Sequence, residues 1–219
     1  MNDPITIKAL NGAVYQMVRA SKPGQHPVLL LHGWTGNETN MWNLASMLDT
    51  GGLMVSVRGF FPAGEGYSWI EHAEKNFSRM DSYNGAVETL EMVIRDVIVR
   101  TGMDRHDLVM LGFSQGAAMA FAAGRSFSYK PQGIIAASGF LPEGNLDGLE
   151  KIQVFWGHGI KDEIVALETA QVGVDRLRAA GIPVQFCQAD IGHKISHQCL
   201  RGVQDWIKQL PVEEHFLHS

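Results

Sequence analysis

One serine has the neighbours that a catalytic nucleophile needs. Ser114 lies in the motif Gly112-Phe113-Ser114-Gln115-Gly116, which follows the apolar run 108–111 and precedes the alanine-rich run 117–123. A serine on a sharp strand-to-helix turn stands in front of helix N-terminal amides, and glycines beside it let the backbones approach. The other interpretation is a glycine-rich turn with an incidental serine. Because an apolar strand precedes the motif and a helix follows it, we favour a nucleophile elbow.

Two more side chains suited to this chemistry follow later apolar runs. Asp162 comes after the run 152–156, and His193 comes after the run 184–187. The carboxyl ends of parallel strands meet at one edge of a sheet, so we expect the three side chains to converge there. The spacing therefore predicts a triad in which His193 takes the Ser114 proton and returns it to the leaving group. Asp162 holds the imidazole in the correct tautomer.

Attack on a carbonyl creates an oxyanion, which needs preorganised N–H donors. The amide of Gln115, directly after the serine, is one such donor. The second is expected after the strand 28–31, where Gly33 lets the backbone turn and Trp34 follows. We predict that the amides of Trp34 and Gln115 form the oxyanion hole.

Nearby residues offer alternatives to these roles. Glu163 is adjacent to Asp162 and is a second candidate for the acid, but motif register favours Asp162. Asp190 lies three residues before His193, and we interpret this loop carboxylate as one that shapes the turn. Because serine holds the elbow, a cysteine or aspartate nucleophile is disfavoured.

Other histidines are interpreted as structural. His32 and His158 each precede a glycine at a strand end, where we expect them to bond loop backbone, with substrate contact as the alternative. His193 and His197 have the spacing of a helical metal pair, but no third ligand is evident in the sequence. We therefore expect neither a metal nor another cofactor.

Alternating strands and helices must position these residues. A hairpin is predicted at the N-terminus, with strands 5–10 and 13–19 around Asn11-Gly12, a dipeptide that suits a type I′ turn. The remaining predicted strands are 28–31, 53–57, 108–111, 133–138, 152–156 and 184–187. The predicted helices are 41–48, the run after the elbow, 82–101, 165–180 and 194–210. This alternation predicts the α/β class, with a mostly parallel sheet covered by helices on both faces and an antiparallel edge.

The irregular segment 58–80 and neighbouring loops supply candidates for a substrate pocket. The segment is too aromatic for disorder, and a long loop in a compact domain is usually functional. Only a short connection joins the strands on either side of 138–151, which leaves no room for an inserted lid. The pocket candidates, for each of which core packing is the alternative, are Trp34, Phe60, Phe61, Tyr67, Trp69, Phe140, Leu141 and Ile195.

Composition limits the other function classes. With 219 residues, 45% hydrophobic and 19% charged, the chain is expected to form a single domain over 1–219, with the edge hairpin in 1–20 and a loose tail in 211–219. A net charge of −5 gives no reason to expect nucleic acid as a partner. No apolar run is long enough for a membrane span, and the N-terminus does not resemble a signal peptide. The two cysteines, Cys187 in a predicted core strand and Cys199 in a helix, predict reduced thiols and a cytoplasmic location.

Five motifs occur in order between residues 28 and 210: Leu31-His-Gly-x-x-Gly-Asn-Glu38, Gly112-Phe-Ser-Gln-Gly-Ala117, Ser138-Gly-Phe-Leu-Pro142, His158-Gly-x-x-Asp162 and Gly192-His-x-Ile-Ser196. Together they resemble the phospholipase/carboxylesterase family of α/β-hydrolases, which includes small bacterial carboxylesterases and acyl-protein thioesterases. The resemblance implies a sheet of about seven or eight strands. It also implies the same triad and oxyanion amides. One departure is Ala166, where the family often has a proline soon after the acid, and this puts the start of the next helix in doubt.

The expected activity is therefore hydrolysis of small acyl esters or thioesters through an acyl-enzyme. The alternatives are an acyl-protein thioesterase or lysophospholipase and, from another class, a non-catalytic binding protein on the same scaffold. The expected partner is a small-molecule substrate rather than nucleic acid or an integral membrane. The sequence leaves monomer and homodimer both open.

Overall fold

The computed structural model describes residues 3–48, 50–71 and 78–211, and the fold is built around an eight-stranded sheet. Its strands are β1 (Ile5–Lys8), β2 (Val14–Val18), β3 (Val28–Leu31), β4 (Met54–Val57), β7 (Val109–Phe113), β8 (Gly133–Ala137), β9 (Gln153–Gly159) and β10 (Val184–Ala189). A separate two-stranded sheet pairs β5 (Phe61–Ala63) with β6 (Gly66–Ser68). The helices are α1 (Trp42–Ala45), α2 (Asn84–Thr101), α3 (Gln115–Ser126), α4 (Leu167–Ala179) and α5 (His197–Gln209).

The strand order confirms the predicted mostly parallel sheet. Strands follow the order β1-β2-β4-β3-β7-β8-β9-β10, and every pair from β4 to β10 is parallel. The N-terminal hairpin forms the antiparallel edge, with β2 also antiparallel to β4. Residues 138–152 join β8 to β9 without an inserted helical lid.

Helices cover both faces of the sheet. Alternate residues of each central strand point to opposite sides, as in β9, where Val154 belongs to one core and Phe155 to the other. The first core packs beneath α2, α3 and α4, and the second packs beneath α1 and α5. Burial on both faces explains the continuous apolar runs of the central strands.

Local details differ from the predicted elements. The hairpin turn is not type I′ at Asn11-Gly12: Gly12 donates to the carbonyl of Ala9, and Gly12 alone in the loop has a positive φ, of 84°. Leu10 therefore joins the loop, which makes a three-residue connection. The predicted helix 41–48 is helical only over Trp42–Ala45. The segment 58–80 contains the β5–β6 hairpin, and a 3₁₀ turn at Met80–Tyr83 precedes α2.

Some expectations fall outside the described residues. These are the aromatic residue Phe77 of the long segment and the predicted loose tail beyond Pro211. Within the described ranges, no helix combines the length and apolar character needed to cross a bilayer.

The expectation of reduced thiols is wrong, because Cys187 and Cys199 form a disulfide. The bond joins β10 to α5, and the sequence separation between the two cysteines is 12 residues. His193 lies inside this covalent loop. The sequence indicated a core strand for Cys187 and a helix for Cys199, but their juxtaposition is a tertiary feature. The prediction of a cytoplasmic location rested on reduced thiols, and disulfides are uncommon in reducing compartments. The disulfide therefore removes the main support for that prediction.

Replacing both cysteines with alanine is expected to lower the free energy of unfolding by about 2–4 kcal/mol, because the bond restricts the unfolded chain. Denaturant unfolding of oxidised wild type and of the double variant measures this loss. Reduction should destabilise the wild type and leave the double variant unchanged. Thiol titration of the unfolded, unreduced wild type should detect no thiol, and two titrating thiols would contradict the bond.

Candidate active site

Ser114 occupies a strained turn between β7 and α3. Its backbone has φ 54° and ψ −118°, a conformation that a non-glycine residue adopts only when the surrounding structure enforces it. The Ser114 amide donates to the carbonyl of Ala137 on β8, which ties the turn to the neighbouring strand. Ser114 precedes α3, whose residues are all described, and its hydroxyl makes no capping bond to this helix. Ser114 as a whole is half-buried.

The glycines on either side of the serine are required by close backbone contacts. A Cβ on Gly112 would lie 2.1 Å from the carbonyl oxygen of Gly116. A Cβ on Gly116 would lie 2.0 Å from the carbonyl oxygen of Leu31. Both distances are far below van der Waals contact, so any side chain here would displace α3 or β3. The sequence-based reason for the glycines is thus confirmed.

Asp162 and His193 form a hydrogen-bonded pair at the same edge of the sheet. Nδ1 of His193 lies 2.8 Å from Oδ2 and 3.0 Å from Oδ1 of Asp162. The Asp162 side chain has no exposed surface, whereas that of His193 is 21% exposed. Since a carboxylate only accepts, Nδ1 carries a proton, and in the neutral imidazole the lone pair is then on Nε2. This is the tautomer that a general base requires. Glu163, the alternative acid, is exposed.

The imidazole lies beside the strand end that carries the serine. The rings of His193 and Phe113, the residue before Ser114, have centroids 4.9 Å apart. Ser138 anchors the loop of His193, because its hydroxyl donates to the Lys194 carbonyl at 2.7 Å. Ser138 is fully buried and, like Ser114, has a positive φ, of 47°. Strained serines thus occupy two adjacent strand ends: Ser114 is the candidate nucleophile, and Ser138 supports the loop that carries His193.

The loop after β3 borders the serine as predicted. A Cβ on Gly33 would lie 3.2 Å from the Cβ of Ser114. The loop is fixed at its far end by Glu38, which receives two hydrogen bonds of 2.6 Å from the Arg58 guanidinium. That pairing lowers the pKa of Glu38. The first amides of a helix have no intrahelical acceptor, so the Gln115 amide at the start of α3 is available as a donor.

His32 bonds loop backbone, as the structural interpretation predicted. Its Nδ1 donates to the Gly33 carbonyl at 2.7 Å, and its Nε2 accepts from the Gly59 amide at 2.8 Å. Burial lowers the pKa of His32, an effect larger than the opposing contributions from the Gly33 carbonyl and from Glu38. Arg58 acts in the same direction as burial. Only the neutral imidazole can make both bonds, because protonated Nε2 would face the Gly59 N–H.

The lowered pKa of His32 predicts that the free energy of unfolding decreases at acidic pH. The unfolded chain takes up a proton on His32 at its ordinary pKa of about 6.5. The folded state resists this protonation, so the unfolded state binds more protons and the free energy of unfolding decreases as pH drops below that value. Denaturant unfolding at pH 7.5 and 5.5 is expected to show this decrease. In His32→Gln the pH dependence should shrink, while His197→Gln, at an exposed site, should retain it. An undiminished dependence in His32→Gln would contradict the assignment.

The pocket candidates divide into three groups, of which two are buried or lie in a separate cavity. Trp69 is fully buried and donates its indole N–H to the His32 carbonyl at 2.8 Å, and Phe140 and Leu141 are also buried. These three side chains belong to the buried core, the alternative given for them above. Phe60 and Tyr67 line a separate cavity of about 300 Å³ that also includes Arg58 and Thr89.

Three candidates retain accessible surface. Trp34 is 57% exposed, and Phe61 and Ile195 are half-buried. Ile195 packs over β9, where a Cβ on Gly157 would lie 2.9 Å from its Cδ1. Trp34, Phe61 and Ile195 are therefore the candidates with surface available to a substrate.

Two supporting residues were not assigned roles from the sequence alone. The Gln115 side chain donates to the Ser68 hydroxyl at 3.0 Å and accepts from the Trp69 amide at 3.3 Å, so it fixes the β6 segment against α3. Ser138 was noted only as part of a motif. Its position directly after β8, one strand from the elbow, is the signal that points to it.

The parallel sheet, the strained serine between strand and helix, and the carboxylate–imidazole pair at one sheet edge define an α/β-hydrolase fold. Residues 60–210 match the model of the phospholipase/carboxylesterase family. The chain belongs to this family. The helix after the acid begins at Leu167 without the proline that the family often has there.

Curated relatives include esterases and thioesterases. A probable carboxylesterase of Oryza sativa subsp. japonica is 32% identical over 130 residues, covering 56% of this chain and 48% of that protein. Acyl-protein thioesterase 1 of Debaryomyces hansenii is 25% identical over 223 residues, covering 88% of this chain and 94% of that protein. In its alignments with the rice protein and a probable Arabidopsis thaliana carboxylesterase, the chain spans about half the length of the relative.

Solved structures share the fold. A carboxylesterase from Mesorhizobium loti superimposes with a TM-score of 0.82 at 20% identity, covering 95% of this chain and all (100%) of that one. The Bacillus cereus carboxylesterase gives a TM-score of 0.81 at 18% identity, covering 90% of this chain and 94% of that one.

Proposed function

We propose that the protein is a serine hydrolase that cleaves carboxylic ester or thioester bonds of small acyl substrates. The observation that carries this proposal is the His193–Asp162 hydrogen bond at the sheet edge that also bears the strained Ser114. A binding protein has no need of a buried carboxylate orienting a half-exposed imidazole beside such a serine. Family membership and relatives named as carboxylesterases favour the same reaction.

The proposed reaction has two symmetrical halves. Oγ of Ser114 attacks the acyl carbon while its proton passes to Nε2 of His193, and the amides of Trp34 and Gln115 stabilise the oxyanion. The bond to the alcohol or thiol then breaks, and that group leaves with the proton from His193. Water attacks the acyl-enzyme by the same route, which releases the carboxylic acid and returns the proton to Ser114. Asp162 stays ionised and stabilises the imidazolium in both halves.

The accessible surface favours short or medium acyl groups. Trp34 and Ile195, which follow Gly33 and His193 closely in the chain, retain exposed surface, whereas Trp69, Phe140 and Leu141 are buried in the core. The absence of an inserted lid between β8 and β9 leaves access open. The likeness to proteins named acyl-protein thioesterase 1 makes protein S-acyl groups the second candidate substrate.

A chain-length series tests the proposal. The purified protein should hydrolyse p-nitrophenyl acetate and butyrate, with kcat/KM declining towards palmitate. A profile rising towards palmitoyl esters and thioesters would favour the second candidate. A folded protein that leaves the whole series untouched would overturn both.

A further inference from the structure

His158 is a fully buried histidine next to the acid. It lies near the C-terminal end of β9, and its side chain has no exposed surface. Its Nε2 is 2.9 Å from the Val165 carbonyl oxygen and 3.5 Å from Oδ2 of Asp162. The structural interpretation, in which His158 bonds loop backbone, is confirmed. The contact of His158 with Asp162 also connects this histidine to the acid of the candidate triad.

The surroundings of His158 define its protonation state. Burial lowers the pKa of His158, outweighing the opposing effects of the Val165 carbonyl and Asp162, and nearby His193 acts in the same direction as burial. Because a carbonyl only accepts, Nε2 carries the single proton. Nδ1 is buried without a hydrogen-bond partner among the described residues. The neutral ring therefore directs one N–H between the Val165 carbonyl and the Asp162 carboxylate.

These contacts close the turn that carries the acid. Oδ1 of Asp162 accepts from the amides of Ile164 at 3.0 Å and Val165 at 2.9 Å. The carbonyl of Val165 accepts from His158. The carboxylate is thus bonded to its own turn, and that turn is bonded back to β9. With Oδ1 occupied by amides, Oδ2 makes the shorter contact with His193.

We propose that His158 is a positioning residue: by bonding the Val165 carbonyl it fixes the 162–165 turn, so that Asp162 keeps Oδ2 aimed at Nδ1 of His193. The role rests on the proposed function, in which His193 is the base. The neutral state of His158 suits this positioning role, because a cation at this place would compete with His193 for the Asp162 carboxylate. His158 itself contacts neither substrate nor the reacting atoms.

A pair of amide variants isolates the N–H that matters. His158→Gln places an amide near the position of Nε2, whereas His158→Asn places the same group one methylene short, near Nδ1. We expect His158→Asn to lower kcat by about 10–100-fold, since small misplacements of catalytic groups have effects of this size. KM should change by less than about 3-fold, as in the loss of an interaction made only in the transition state. His158→Gln should recover most of the loss.

His26 provides a matched control. It is also buried and bonds the Asp107 carbonyl at 2.9 Å, but it lies before β3, far from the acid in the sheet. His26→Gln, whose amide lies near Nε2 and not near Nδ1, loses the bond to Asp107 and should lower stability without changing kcat. If His158→Asn does not fold, His158→Leu, which buries no unpaired amide, replaces it.

A second readout is independent of turnover. The Nδ1 proton of His193, observed by NMR in ¹⁵N-histidine-labelled protein, should be slow to exchange in wild type and in His158→Gln. In His158→Asn it should exchange faster or disappear. If the wild type hydrolyses no ester, this measurement still tests the positioning role, so the two failures are distinguishable. Equal kcat and equal exchange in folded Asn and Gln variants would overturn the proposal.

Discussion

Replacing Ser114 with alanine is expected to abolish ester hydrolysis almost completely. Only the acceleration that binding and the oxyanion hole supply should remain, roughly 10³–10⁴ over the reaction in water. The reason is that this hydroxyl forms the acyl-enzyme, whereas the hydroxyl of Ser138, the other strained serine at this edge, is buried and donates to the Lys194 carbonyl. Steady-state rates with p-nitrophenyl butyrate measure the loss.

Covalent labelling makes this prediction specific to the nucleophile. A fluorophosphonate should add one equivalent to the wild type, seen by intact mass, and none to Ser114→Ala. Ser126→Ala is the matched control, because Ser126 is an exposed serine at the end of the same helix. Its rate and labelling should equal those of wild type. Near-full turnover in Ser114→Ala would exclude the elbow serine as nucleophile.

The elbow was predictable because its requirements are local. Gly112 is required by its contact with Gly116, four residues away, and an apolar strand on one side and a helix on the other are visible in the sequence. Only the contact of Gly116 with Leu31 involves a distant strand. The buried strand Val28–Leu31 was predicted with its observed bounds, since a short apolar run between turn residues has few other interpretations.

Features that depend on distant contacts were not predictable in this way. The Cys187–Cys199 bond requires β10 and α5 to meet, which the spacing alone does not indicate. Trp69 reads as a pocket aromatic in the sequence, but its indole N–H finds the His32 carbonyl inside the core. Tertiary contacts with partners from other elements decided both cases. The contact of His158 with Asp162 likewise appears only when the turn after β9 folds back on its strand.

Replacing Asp162 with asparagine is expected to lower kcat by about 10⁴-fold, with KM little changed. Asparagine has nearly the same size, and its oxygen can still accept from the amides of Ile164 and Val165. The amide group would then face Nδ1 of His193 and donate to it. The imidazole proton would be forced onto Nε2, where it blocks removal of the Ser114 proton, and the charge that stabilises the imidazolium would be absent.

The adjacent carboxylate supplies the control. Glu163 is exposed, so Glu163→Gln should leave kcat within about 2-fold of wild type, as expected of a surface substitution away from the site. Both variants should unfold at similar denaturant concentrations, because the asparagine preserves the bonds within the turn. A large loss in Glu163→Gln together with an active Asp162→Asn would reverse the assignment. The acid is distinguished from its neighbour by the geometry at Nδ1 of His193, where Asp162 alone of the two makes a hydrogen bond among the described residues.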